Sequence, residues 1–171
     1  MDMLCESNIM ALNKDLIMNL PNLNKLMSYK NNKIISRYRK DYPTAKMNAE
    51  EALQEFMKFV WLCHKHRVEK KIRADDNSLN FSCAIHAEMS DIDNMWHTFL
   101  LFTKDYHDFC NHYLDGVFFH HEPLMNSDDN VFDKNDEEEL TLYLSYIYDN
   151  LGEDTLIKWF NDSTIEDVSL S

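Results

Sequence analysis

The sequence predicts an all-α fold, one domain of six or seven helices spanning residues 1–171. Three observations carry that expectation. The 171-residue chain holds only two glycines, Gly116 and Gly152, and three prolines, Pro21, Pro43 and Pro123. So few breakers leave little material for the tight turns of a sheet protein. Apolar residues recur at intervals of three and four over long stretches, the period of a buried helix face. A hydrophobic share of 44%, with 10 Phe, 8 Tyr and 3 Trp, is enough to pack one core and argues against a disordered chain.

The elements follow in order. Residues 8–19 are weakly helical and stop at Pro21, which suits an early position of a second helix at about 22–41. Leu23, Leu26, Met27, Ile34, Ile35 and Tyr38 give that helix its apolar stripe. Pro43-Thr44 breaks the chain before a third helix at about 47–67, with Ala52, Phe56, Phe59, Val60 and Cys63 on one face. His64 and His66, beside Lys65 and Arg67, suit the negative C-terminal end of this helix. Residues 73–78 read as a loop, and 79–89 as irregular or briefly helical.

Ser90 is placed to cap the next helix, and Asp91 and Asp93 favour its positive end. The apolar positions Ile92, Met95, Trp96, Phe99, Phe102, Tyr106, Phe109, Cys110 and Tyr113 hold helical spacing to residue 113. A helix at 90–113 is therefore expected at the centre of the fold. A loop at 114–135 precedes a helix near 136–150 that ends at Gly152. A short helix from Asp154 to Phe160 docks Leu156 and Trp159. The tail at 162–171 is expected to fray.

Charge is unevenly spread. Residues 1–73 carry 14 Lys/Arg against 8 Asp/Glu, and residues 74–171 carry 3 against 22, within a net charge of −13. The simplest consequence is that basic and acidic helices compensate each other within one domain. The sharper alternative is that Lys30, Lys33, Arg37, Arg39 and Lys40 form a basic strip for an acidic protein partner. An acidic molecule is a poor binder of nucleic acid. No apolar run approaches the ~18 residues of a membrane span. Cys5, Cys63, Cys83 and Cys110 form no C-x-x-C pair, and the N-terminus lacks the basic start and apolar stretch of a signal peptide. Reduced thiols in a cytoplasmic protein are the expectation. The acids from Asp128 to Glu139 lack the alternating ligands and central glycine of an EF-hand loop, so calcium is not expected there.

Five of the eight histidines fall between positions 97 and 121. On a helix, Asp93 and His97 sit one turn apart on a shared flank, so both can reach one ion. His107 lies ten residues from His97, about 15 Å along a straight helix, too far to share it. The missing ligands must come from elsewhere, and His120 and His121 are the natural loop donors, with His86 a further possibility. Imidazole and carboxylate together suit zinc, or iron(II) with open positions that could activate water or oxygen. Against this stands a role in which the histidines are structural and the domain is a non-catalytic protein-interaction module. A third reading makes Cys110 a nucleophile beside His107, but its place on the apolar stripe argues for an inert, buried thiol.

The segment Asp93-x-x-Trp96-His97, then Thr103-x-x-Tyr106-x-x-Phe109-Cys110, then His120-His121-x-Pro123 resembles the small bacterial proteins of the glycine-rich domain-containing protein-like family. The strong part of the resemblance covers about residues 50–124. It implies a helical protein without supplying a reaction, and this chain has no glycine-rich segment to carry any role attached to one.

Overall fold

A helix that buries side chains on almost every side belongs at the middle of a fold. In the computed structural model, which describes residues 17–122 and 134–160 together with Lys14, that helix is Ala49–Ile72. It is the third of seven α-helices among the described residues: α1 (Leu23–Met27), α2 (Asn32–Asp41), α3 (Ala49–Ile72), α4 (Ser90–Leu100), α5 (Thr103–Tyr113), α6 (Lys134–Leu151) and α7 (Glu153–Trp159). Two single 3-10 turns lie at Asn77–Leu79 and Ala87–Met89. The described residues contain no strand, so the architecture is all-α.

Asn48 starts α3 by accepting the Glu51 N–H at 2.9 Å, with Glu50 and Glu51 in the positive first turn and Lys70 and Lys71 in the negative last one. At 24 residues the helix is about 36 Å long. Phe56, Phe59, Val60 and Leu62 are buried along it, and α1, α2, α4 and α6 pack against it. The expected end near residue 67 is passed by a full turn. His64 and His66 are consequently buried side chains in mid-helix, not terminal charges.

The second expected helix is interrupted at Ser28–Asn31, and each half has its own asparagine cap. Asn22 accepts from Lys25 N–H, and Asn31 accepts from Lys33 and Ile34 N–H. Much of the basic strip is compensated within the chain: Lys33 pairs with Asp105 at 2.6 Å, Arg37 with Asp41 at 2.5 Å, and Arg39 with Glu50.

The expected single helix at 90–113 is two helices. The chain turns at Leu101 and Phe102, where Phe102 leaves helical geometry (φ −100°, ψ 66°). Ten residues of straight helix span about 15 Å. Yet the Phe99 and Phe109 ring centres are 5.3 Å apart, and Trp96 Nε1 lies 3.0 Å from the Tyr106 hydroxyl, also ten residues on. Folding back lets both apolar faces bury. Leu101 is left at the bend, 59% exposed. Ser90 does not cap α4; it is the first helical residue, and no side chain caps that end. Asp91, buried at the same end, accepts the Met47 N–H at 2.8 Å and ties the α2–α3 connection down.

At the other end of the fold Gly152 (φ 86°) adopts the left-handed conformation that reverses the chain between α6 and α7. Trp159 of α7 is fully buried and donates its indole N–H to Glu55 Oε2 at 2.9 Å. Glu55 is itself buried in α3 and also meets Lys58 Nζ at 3.0 Å. No described helix is long and apolar enough to cross a membrane. The helix expected at 8–19 lies mostly outside the described residues, and the run Asp128–Asp133 and the tail at 162–171 lie wholly outside them.

Trp159→Phe keeps the ring but leaves a buried carboxylate short of one donor, a loss of about 1–3 kcal/mol. The thermal midpoint should fall by roughly 2–4 °C for each kcal/mol, measured by circular dichroism. Burial holds His64 and His86 below the usual imidazole range. Both are therefore neutral in the fold and gain protons on unfolding. Their contribution is intact above about pH 6.5, the unfolded value, and is lost as pH falls toward their folded values. Urea midpoints should accordingly drop between pH 7 and pH 5, and His64→Leu should shallow that slope.

Candidate metal centre

Helical spacing brings the first two residues together. Asp93 in the first turn of α4 and His97 in its last stand four residues apart, with Asp93 Oδ2 3.7 Å from His97 Nδ1. Their side chains are 32% and 48% exposed, so the pair faces outward from the core.

The third residue arrives because the chain reverses after α5. The Cys110 carbonyl accepts from both Leu114 and Gly116 N–H, at 3.0 and 3.1 Å. Asp115 (φ 50°) and Gly116 (φ 78°) both take left-handed backbone geometry there. The segment then runs back toward α4 without regular secondary structure. Phe119 is its anchor, 4% exposed and stacked on Trp96 with centroids 4.7 Å apart. Trp96 Nε1 donates to the Tyr106 hydroxyl, and that hydroxyl donates to the Phe119 carbonyl.

Burial alternates along this segment: Phe119 and His121 face inward, and Phe118 and His120 are exposed. His121 sets its ring edge-on to Trp96 at 4.4 Å and 4.5 Å from the His97 ring, and its Nε2 is 2.8 Å from Asp93 Oδ1. His120 is exposed against the Phe118 ring at 4.7 Å.

Of the four residues the sequence nominates, Asp93, His97 and His121 converge, with one donor atom from each lying within 4.8 Å of the others. His120 stands outside that group. So does His86, whose ring lies 5.7 Å from both Tyr143 and Phe160. His107 and His112 are exposed on α5.

The cluster opens on a cleft of about 1170 Å³ between α3, the segment 81–87, α4 and the segment 118–122. Its lining includes Asp93, His97 and His121, and also Cys63, His66 and Cys83 together with Arg67, Lys70 and Lys71. Cys110 is buried, and burial raises its thiol pKa against the opposing Phe119 N–H. That leaves it inert, as its position on the stripe implies. Cys63, His66 and Cys83 match no short spacing motif, so sequence alone does not group them.

The chain matches no protein-family model, no curated protein and no solved structure.

The centre depends on how Phe119 is held. Tyr106→Phe removes the hydroxyl and leaves the Trp96 N–H and Phe119 carbonyl unpaired, a loss of about 1–3 kcal/mol. It should also loosen His121, so that any divalent ion bound here is held more weakly while Asp93 and His97 are intact. Isothermal titration of the variant with zinc, beside the unaltered protein, checks this.

Proposed function

We propose that Asp93, His97 and His121 bind one divalent transition metal, zinc or iron(II), at the edge of the cleft. The observation that carries the reading is the convergence of two imidazoles and one carboxylate from two separate segments, all within 4.8 Å. Two nitrogens and one oxygen are the donor set of catalytic zinc and of non-haem iron(II) sites, both of which keep coordination positions open. Bonds of about 2.1 Å separate such donors by roughly 3.4 Å in a tetrahedral arrangement. Small side-chain rotations suffice, with the Asp93–His121 hydrogen bond exchanged for two metal bonds. Open positions would face the cleft, where the metal would polarise a bound water or hold oxygen.

Asp93, Trp96, His97 and His121 also carry the resemblance to the glycine-rich domain-containing protein-like family, so membership of that family forms part of the same proposal. A cytoplasmic setting suits the free thiols of Cys63, Cys83 and Cys110.

The second reading takes the 2.8 Å contact between Asp93 and His121 as a purely structural clasp in an interaction module. Metal analysis separates the two. Untagged protein should carry about one zinc or iron per chain, and His97→Ala or His121→Ala should lose it while His120→Ala keeps it. At a hundredfold excess over the dissociation constant, added metal should stabilise the fold by about 2.7 kcal/mol. It should bind less well on acidification, because imidazole must be deprotonated to ligate. Metal-free protein showing no thermal shift with zinc or iron(II) overturns the proposal.

A further inference from the structure

Cys63 and Cys83 are twenty residues apart in sequence, and both line the cleft. Cys63 projects from α3 and is buried; Cys83 comes from the connection between the 3-10 turns and is half-buried. Cys63 and His66 stand one turn apart on α3, and Phe81, two residues before Cys83, lies on the His66 ring, so the two thiols and the imidazole line one stretch of the cleft wall. His66 is fixed on three sides. Its Nε2–H donates to the Leu79 carbonyl at 2.9 Å, which leaves Nδ1 for Cys83. Its ring lies on Phe81 at 4.2 Å and edge-on to Tyr146 at 5.5 Å.

We propose that Cys63 and Cys83 are a redox-active dithiol, oxidised by a hydroperoxide that enters the cleft, with Cys83 the attacking sulfur, Cys63 the resolving one and His66 the proton donor. The inference stands on the thiol pair and the cleft, and does not depend on the metal centre.

The environment divides the labour between the two sulfurs. The Cys63 S–H, the His66 ring and the nearby Lys70 charge together hold the Cys83 thiol down to about 6. Burial pushes Cys63 the other way, so it keeps its proton and donates. Burial alone would depress His66, but its hydrogen bond to Cys83 and the charge of that sulfur outweigh this and raise it. The pair is thus a thiolate beside an imidazolium, the state in which a thiol is reactive near neutrality. From α6, Tyr143 and Tyr146 lie near enough for the cysteines to add to their raised pKa values, which burial chiefly sets, and the Tyr146 hydroxyl donates to Glu69.

The chemistry balances. The Cys83 thiolate attacks one peroxide oxygen, the O–O bond breaks, and the departing hydroxide takes the His66 proton and leaves as water (or an alcohol, from an organic hydroperoxide). Cys83 is then a sulfenic acid. The Cys63 sulfur attacks the Cys83 sulfur, the S–O bond breaks, and the hydroxide leaves with the Cys63 proton as a second water. The two sulfurs lose two electrons and the peroxide gains them. Residues 82–86 have no helical or strand pairing, so no backbone ladder holds Cys83 back from the approach that a 2.05 Å bond requires.

Hydrogen peroxide titration of the full chain under native conditions tests this by intact mass and peptide mapping. The expected product is a single Cys63–Cys83 disulfide, two hydrogens lighter, formed before Cys110 reacts. Cys63→Ser should stop at a sulfenic acid on Cys83 that a cyclic dione traps, and Cys83→Ser should remove the fast reaction. Iodoacetamide labelling of Cys83 should be half-maximal near pH 6, and His66→Gln should move that midpoint up toward the ordinary thiol value of about 8.5. The unaltered protein needs no variant to fold. If its Cys83 labels no faster at pH 7 than Cys110, or peroxide gives no Cys63–Cys83 link, the proposal fails.

Discussion

An indole N–H buried in a core needs an acceptor, and a buried carbonyl needs a donor. The Tyr106 hydroxyl meets both demands, accepting from Trp96 and donating to the Phe119 carbonyl. Trp96 belongs to α4, Tyr106 to α5 and Phe119 to the segment that returns after α5, so one hydroxyl joins three pieces of chain. None of the three can shift without stranding a polar group in the core. The fold-back at Leu101–Phe102 and the seat of the returning segment are therefore one constraint seen from two sides. The position of His121 is its consequence, two residues beyond the anchored carbonyl.

That dependence explains which parts of the site were legible in the sequence. Asp93 and His97 are four apart on a strongly patterned helix, and helical geometry alone places them together. The choice between His120 and His121 was not legible. It depends on the phase of an extended segment, fixed by Phe119 stacking on Trp96, a contact across more than twenty residues. The bend at 101–102 was hidden for a related reason. A sharp turn between two helices of similar phase leaves the three- and four-residue spacing of each intact. The available clue was Phe99-Leu100-Leu101-Phe102, four apolar residues in succession that one helix face cannot bury together. Leu101 is the residue left outside.

The helical class needed only periodicity and the scarcity of breakers, but the central helix was misplaced. Pattern strength favoured 90–113, where apolar and polar faces separate cleanly. A helix buried on all sides shows no such separation, so α3 with its buried Glu55, His64 and His66 looks less ordered in sequence than a half-exposed helix. Those three polar residues have specific partners: Glu55 takes the Trp159 N–H, His64 donates Nδ1–H to the Val60 carbonyl at 2.9 Å, and His66 meets Leu79 and Cys83.

The cleft is lined by two donor sets of opposite character, and the metal and thiol proposals are compatible only while the two sets stay apart. Thiolate sulfur binds zinc strongly. A Cys83 thiolate within reach of Asp93, His97 and His121 would complete a closed four-ligand site and spend both the open metal positions and the reactive sulfur. No sulfur joins the Asp93–His97–His121 group among the described residues. Phe59 of α3, Trp96 of α4 and Phe119 of the returning segment also line the cleft and pack ring against ring. Loosening Phe119 would therefore disturb the cleft wall as well as the seat of His121, because the same ring packs on both Phe59 and Trp96.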